Sequence, residues 1–291
     1  MKKIFVITAI LLIANLLTYA QDGKALKVLI SVDMEGITGV VNWEDVDREG
    51  KDYDLFRKIM TEETNAAIEG ALDAGATEII VRDAHSTARN ILPDLLNPKA
   101  RLIRDWSGEF KSMVEGIDKS FSAVIFIGYH AKAGTEDAVL EHTMSSKNIT
   151  DISINGISLP EAGINALIVG YYDVPLVFLA GDSSICAQAK QLFGEIEIVA
   201  VKSGIGNAAI NLHPAVSHEK IKEGVKKALL NINKYKPYKF KPPYKLVVTL
   251  KHEEVLEQRS EYPGVKRTGD WELTYENDDL IEVMKAMRHM F

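Results

Sequence analysis

An α/β fold is predicted for this chain, a mostly parallel sheet flanked by helices with a smaller C-terminal α+β part, on three observations. Short runs rich in Val, Ile and Leu recur from residue 27 onward, stretches of helical periodicity separate them, and a Lys/Pro-rich segment at 234–243 sets off a short tail. Apolar runs that alternate with helices are the pattern of βαβ units, whose parallel strands are covered on both faces and so read as unbroken hydrophobicity.

At the N-terminus, Lys2-Lys3 precede the apolar run Ile4 to Leu17, and Thr18-Tyr19-Ala20 offers a small-residue site, the layout of a secretory signal peptide (residues 1–20) cleaved after Ala20. An uncleaved anchor competes with this reading, but a spanning helix needs about 20 apolar residues. The protein is thus expected to be exported to the periplasm, with no membrane association after signal cleavage. Strands are predicted at Val28–Val32, Glu78–Val81, Ala123–Ile127, Leu176–Ala180 and Ile196–Val201. Between the first two, Ile59, Ala66, Ile68, Ala71 and Leu72 form one face of a helix over about 57–74, and Gly75 stops it. Asn155-Gly156 inside 152–159 marks a hairpin with a type I′ turn, and Pro160 opens a helix at 161–169. A further helix is expected at 215–231. Beyond the linker, strands near 246–250 and 271–275 and a helix at 278–290 complete the tail. The organisation expected is an α/β domain at 27–233, the linker 234–243 and a small α+β part at 244–291.

Composition narrows the function classes. With 46% apolar and 26% charged residues the chain is an ordinary globular protein, and Lys+Arg 34 against Asp+Glu 41 gives a net charge of −7. An acidic chain without a basic stripe is not built for phosphate backbones, so nucleic acid is not an expected partner. Cys186 is the single cysteine, which rules out an intrachain disulfide.

Chemistry gathers where the strands end. The first run delivers Asp33 and Glu35, the second Asp83 and His85, the third His130. Ligands of open parallel sheets bind beyond the carboxyl ends of the strands, so these clusters are expected to share one crevice. Carboxylates with neutral imidazoles are the donor set of a hydrolytic zinc or manganese site. Alternation along an extended Asp33-x-Glu35 points both carboxylates to one side, where they can hold or bridge two neighbouring ions. Each residue alone is equally a cap, an ion-pair partner or a core histidine; the convergence of three strand ends argues for the site. His142 can be an acid/base, an oxyanion stabiliser or a surface or core histidine, and Glu161 can simply cap its helix.

Other candidates are set aside. Gly204-x-Gly206-x-x-Ala209 resembles a dinucleotide fingerprint but no acidic strand end comes about 20 residues on, so it is read as a turn. Cys186 is read as a buried small hydrophobe, and Asp182 as the cap of the next helix. His213 and His218 lack metal-ligand company, and the linker lysines are read as a solvated segment.

The segments Ser31-Val32-Asp33-Met34-Glu35-Gly36-Ile37, Met60-Thr61-Glu62-Glu63, Asp83-Ala84-His85-Ser86, Gly128-Tyr129-His130-Ala131, Glu141-His142-Thr143-Met144 and Glu161-Ala162-Gly163-Ile164-Asn165-Ala166 together resemble the zinc-dependent D-aminopeptidase family, the D-stereospecific aminopeptidases of dipeptide-transport operons. The resemblance runs from about residue 27 through the 240s. It implies two Zn2+ per subunit, with Mn2+ or Co2+ as substitutes, held by Asp33, Glu35, His85, His130 and Glu161, and His142 as the catalytic residue beside them. It also implies a self-compartmentalising homo-oligomer, a decamer with an internal channel, acting on short peptides. The exported N-terminus and the Lys/Pro linker depart from the family pattern. The activity expected is metal-dependent hydrolysis of the N-terminal peptide bond of short, D-amino-acid-containing peptides. Two rivals are an exported peptide-binding protein without turnover and a dinuclear metallophosphoesterase, and the latter lacks an Asn-His-Asp or Asn-His-Glu cluster here.

Overall fold

The structure, a computed structural model, describes residues 25–290. The segment read as a signal peptide lies outside the described residues. In chain order the elements are β1 (Lys27–Val32), α1 (Trp43–Val46), α2 (Tyr53–Asp73), β2 (Glu78–Asp83), β3 (Ala100–Ile103), β4 (Ala123–Tyr129), β5 (Ile149–Ile154), β6 (Ile157–Ser158), α3 (Glu161–Tyr171) and β7 (Leu176–Asp182). They continue with α4 (Ser183–Phe193), β8 (Glu197–Ile205), β9 (Ala208–Asn211), α5 (Pro214–Leu230), β10 (Tyr244–Leu250), α6 (Glu253–Arg259), β11 (Lys266–Arg267), β12 (Glu272–Asn277) and α7 (Leu280–His289).

The larger sheet has the order β3-β2-β1-β4-β7-β8-β9 and is parallel except for β9, which folds back on β8. From β1 the chain winds outward through β2 to β3, then returns to β4 on the other side of β1. Connections leaving in opposite directions from adjacent strands open a crevice at their carboxyl ends, between β1 and β4. Side chains of β1 alternate between two cores. Val28, Ile30 and Val32 pack with Ile68 of α2 and Val225 of α5, whereas Leu29 joins the opposite core with Leu167 of α3, Ile152, Val248 and Met287 of α7. The predicted mostly parallel sheet with helices on it is therefore the observed one.

A second, antiparallel sheet has the order β11-β12-β10-β5-β6. Its β10 pairs with β5, Leu246 opposite Ile154 and Val248 opposite Ile152. The C-terminal strands thus extend a sheet begun by residues 149–158, a long-range pairing across the linker that local pattern does not carry. The hairpin at 152–159 forms as expected, with Asn155 at φ 53° and Gly156 at φ 78°, the two left-handed positions of a type I′ turn. In the linker Lys236, Lys239 and Lys241 are distributed along a segment whose Tyr238 stacks edge-on against Phe193 and Phe240. The helix expected from 57 begins at Tyr53, whose buried ring donates its hydroxyl to Asn90 Oδ1 at 2.7 Å and so holds the first turn. Hydrophobic pattern does not predict strands β3, β9 and β11 or helix α6, which are short or lie at sheet edges.

Two glycines let β1 and β4 touch where the crevice opens. Gly36 N donates to Gly128 O at 2.8 Å, and a Cβ on Gly36 would lie 2.0 Å from the Tyr129 carbonyl oxygen. Gly128 has φ +71°, and its Cβ would meet Asp33 O at 2.2 Å. Backbone cannot yield as a flexible side chain does, so Gly36→Ala is expected to cost about 2–3 kcal/mol, the upper part of the range for overpacking. A urea-unfolding midpoint unchanged from the parent would contradict this contact.

Candidate metal centre

Five residues from four segments meet at the crevice. Asp33 and Glu35 leave β1, His85 leaves β2, His130 leaves β4, and Glu161 opens α3; all five are buried. His142 reaches them from the loop between β4 and β5. Among the described residues, donor atoms within 4.8 Å of one another form three sets: Asp33, Glu35 and His85; Asp33, His130 and Glu161; and Glu35, His130 and His142. Asp33 is the only residue common to the first two sets. Those two sets together use all five predicted ligands, with one carboxylate between them.

The imidazoles are oriented from behind. His85 Nε2 lies 3.0 Å from the Val46 carbonyl and donates to it, which turns Nδ1 toward Asp33 Oδ1 at 3.3 Å and Glu35 Oε2 at 3.0 Å. His130 Nδ1 donates to Ala131 O at 3.0 Å, turning Nε2 toward Asp33 Oδ2 at 3.5 Å and Glu161 Oε1 at 3.6 Å. His142 Nδ1 donates to Leu140 O at 2.9 Å, and its Nε2 lies 3.5 Å from Glu161 Oε1. Backbone carbonyls behind each ring fix the tautomer, as the outer partners of metal-bound histidines do. The rings of His130 and His142 stack with centroids 4.1 Å apart, and Trp43 packs edge-on against His142 at 5.4 Å.

The charges do not balance on their own. Three buried carboxylates crowd together, and Asp33 is raised well above the usual carboxylate range by burial and by Glu35. Burial opposes charge on His85 and His130, yet the carboxylates outweigh it: Glu35 holds His85 protonated, and Glu161 lifts His130 to about 10. Burial and the neighbouring His130 instead lower His142, so it stays neutral. Protons on imidazole here do what divalent cations would do, and cation binding at such clusters displaces them. Asp33 Oδ2 and His130 Nε2 are both buried, 3.5 Å apart and without a hydrogen-bond partner. Orphaned polar atoms of this kind are costly unless an ion or water takes them up. The donor set of carboxylate oxygens and imidazole nitrogens, the fixed tautomers and the two orphaned atoms fit zinc.

Other polar residues singled out in the sequence do other work. Asp83 faces away and caps the next loop, accepting from Asn90 N at 2.6 Å and Ile91 N at 2.8 Å. Asp182 caps α4 through Ser184 N at 2.7 Å, as expected. Cys186 is buried, its thiol pushed up to about 12 by burial and Asp182. Gly204 and Gly206 sit at the β8–β9 turn, and His213 caps α5 by accepting from Ala215 N at 3.2 Å. Sequence reasoning missed Trp43 and the Val46 carbonyl, both on α1. It also missed Lys202 of β8, which is buried beneath the loop carrying Glu35. Its Nζ donates to Glu35 O at 2.5 Å, Ile37 O at 2.9 Å and Val40 O at 2.6 Å. A lysine directly after the apolar run Ile198 to Val201 was the available signal.

The donor set opens into a cavity of about 690 Å3, within the size range of small-ligand sites, walled by Trp43, Trp106, Met113 and Met144. Comparison with known proteins identifies the family. The D-aminopeptidase (peptidase M55) family pattern matches residues 26–289. A D-aminopeptidase of Bacillus subtilis (strain 168) is 37% identical over 268 residues, covering 90% of this chain and 95% of that protein. The solved structure of the Zn-dependent D-aminopeptidase DppA from Bacillus subtilis, a self-compartmentalizing protease, superposes with a TM-score of 0.87 at 35% identity over 91% of this chain and 96% of the other. The chain belongs to the D-aminopeptidase family and is a metal-dependent aminopeptidase, with buried carboxylate and imidazole groups that could hold the metal.

Proposed function

We propose that the protein is a dinuclear zinc aminopeptidase that removes the first residue, a D-amino acid, from short peptides. The observation that carries this reading is the pair of three-donor sets sharing Asp33. Glu35 and His85 would complete one position, His130 and Glu161 the other, and Asp33 would bridge them. Zinc pairs of this kind polarise a carbonyl and lower the pKa of a water they hold. Mn2+ and Co2+ have compatible donor preferences.

The chain's own residues supply the proton work. Because His142 Nδ1 is committed as a donor to Leu140 O, Nε2 is left as an acceptor on a neutral ring. Nε2 can take the proton released as water adds to the peptide carbonyl, then return it to the departing amine nitrogen as the C–N bond breaks. A neutral imidazole with a free Nε2 lone pair suits this shuttle better than oxyanion stabilisation. Stacking on His130 and the edge contact of Trp43 hold the ring in place.

Export to the periplasm is supported by the pattern of residues 1–20, and a homo-oligomer, a decamer in our reading, by the self-compartmentalizing DppA. No helix among the described residues is long and apolar enough to cross a membrane. The test is the zinc-loaded protein assayed on D-Ala-D-Ala and L-Ala-L-Ala, with and without chelator. Preference for the D-peptide, lost on chelation, and a kcat about 10^2-fold lower in His142→Gln at unchanged zinc content are expected. Equal, chelator-insensitive rates would reject the reading, and tight peptide binding without turnover would favour a binding protein.

A further inference from the structure

The cavity lining carries both signs of charge. Asp33, Glu35 and Glu161 of the donor set line it, and so do Arg48, Lys147 and Arg288 from three different segments. In a chain of net charge −7, three cations on one cavity lining are unexpected, and none of them forms an ion pair among the described residues. Arg48 and Lys147 are exposed, while Arg288, near the end of α7, is half-buried. Its Nη1 donates to Glu109 O at 2.6 Å, which anchors one arm of the guanidinium; its remaining N–H groups make no other bond among the described residues. A preset, planar fork of free N–H donors is the geometry that takes a carboxylate side-on.

Resting on the aminopeptidase reading, we propose that Arg288, with Lys147 and Arg48 supporting it electrostatically, binds the C-terminal carboxylate of the substrate. The site is then selective for free di- and tripeptides, which present that carboxylate a short reach beyond the bond cut at the zinc donors. The carboxylates of the donor set on the same lining offer the opposite sign for the substrate's ammonium end, so the lining complements a zwitterion. The C-terminal part gains a function: α7, packed through Val283, Met284 and Met287 into the same core as α3, carries the carboxylate-binding residue to the cavity that Glu161 of α3 enters.

The test compares kcat/KM of the zinc-loaded protein for D-Ala-D-Ala and for its C-terminal amide. The parent is expected to favour the free acid at least 10-fold, chiefly through KM, as removal of a charge-assisted bond predicts. In Arg288→Gln the KM for the acid should rise until that preference is largely lost, and Arg288→Lys should recover part of it. Calorimetric binding of acetate to the metal-free protein should weaken in parallel, a readout independent of turnover. Equal parental rates on acid and amide would overturn the carboxylate site and leave the aminopeptidase reading standing. An equal loss on both substrates in Arg288→Gln would also overturn it, because that is what mere disturbance of α7 would do. Failure to cleave either peptide would remove both readings together.

Discussion

Asp33→Asn is expected to leave at most one zinc per subunit and to lower kcat/KM on the order of 10^3-fold or more, about 4 kcal/mol of transition-state stabilisation. Asp33 Oδ1 lies 3.3 Å from His85 Nδ1 and Oδ2 lies 3.5 Å from His130 Nε2, so its two oxygens face the two donor sets. An amide keeps the size but offers one oxygen and an NH2 group that only donates, and cannot bridge two cations. Met34 N donates to Asp33 Oδ1 at 2.9 Å, a bond that the Asn oxygen can still accept, so the fold should survive. Zinc content by elemental analysis and peptide turnover on the same sample check the prediction. Retention of two ions with full turnover would show that Asp33 bridges nothing.

Lys202→Met is expected to lower stability by about 2–4 kcal/mol, from acceptors left buried without a donor. Lys202 is 2% exposed, and its ammonium is bonded to three carbonyls of the loop from Glu35 to Val40. Burial lowers its pKa to about 8, and Asp182, Glu63 and Glu35 pull against that to keep the charge. Glu63 of α2 holds the same loop from another direction, accepting from Thr38 N at 3.0 Å. Methionine fills the space but leaves the Glu35 and Val40 carbonyls without a donor and Ile37 O with only Val40 N at 3.3 Å, and the loop that aims Glu35 should slacken. Urea unfolding of the metal-free variant measures the first effect, and zinc titration of the folded fraction the second. Unchanged stability would mean that water replaces the ammonium without cost.

How much of the site is legible in the sequence depends on where each contact lies in the chain. Asp33, Glu35, His85 and His130 stand directly after unbroken apolar runs, and parallel strands deliver the residues at their carboxyl ends to one edge of the sheet, so their convergence is readable from position. His142 and Glu161 come from outside the larger sheet, His142 from the loop that leads to the antiparallel one and Glu161 from the helix that follows its first two strands. Only the resemblance of their motifs gives them weight, since no periodicity links them to β1. Lys202 meets the Glu35 loop through a separation of more than 160 residues, and the Val46 carbonyl orients His85 through backbone rather than through any side chain. Such contacts leave no trace in residue spacing. The tail is legible as strands and a helix, but its pairing with β5 depends on register across the linker, which hydrophobic pattern does not encode.

Five donors from four segments surround, on this account, two ions joined by one carboxylate. Anomalous scattering at the zinc absorption edge, from crystals of the zinc-loaded protein, tests this most directly. Two peaks about 3.5–4 Å apart are predicted, with Asp33 between them, Glu35 and His85 at one, and His130 and Glu161 at the other. A single peak, or peaks away from these residues, would contradict the account.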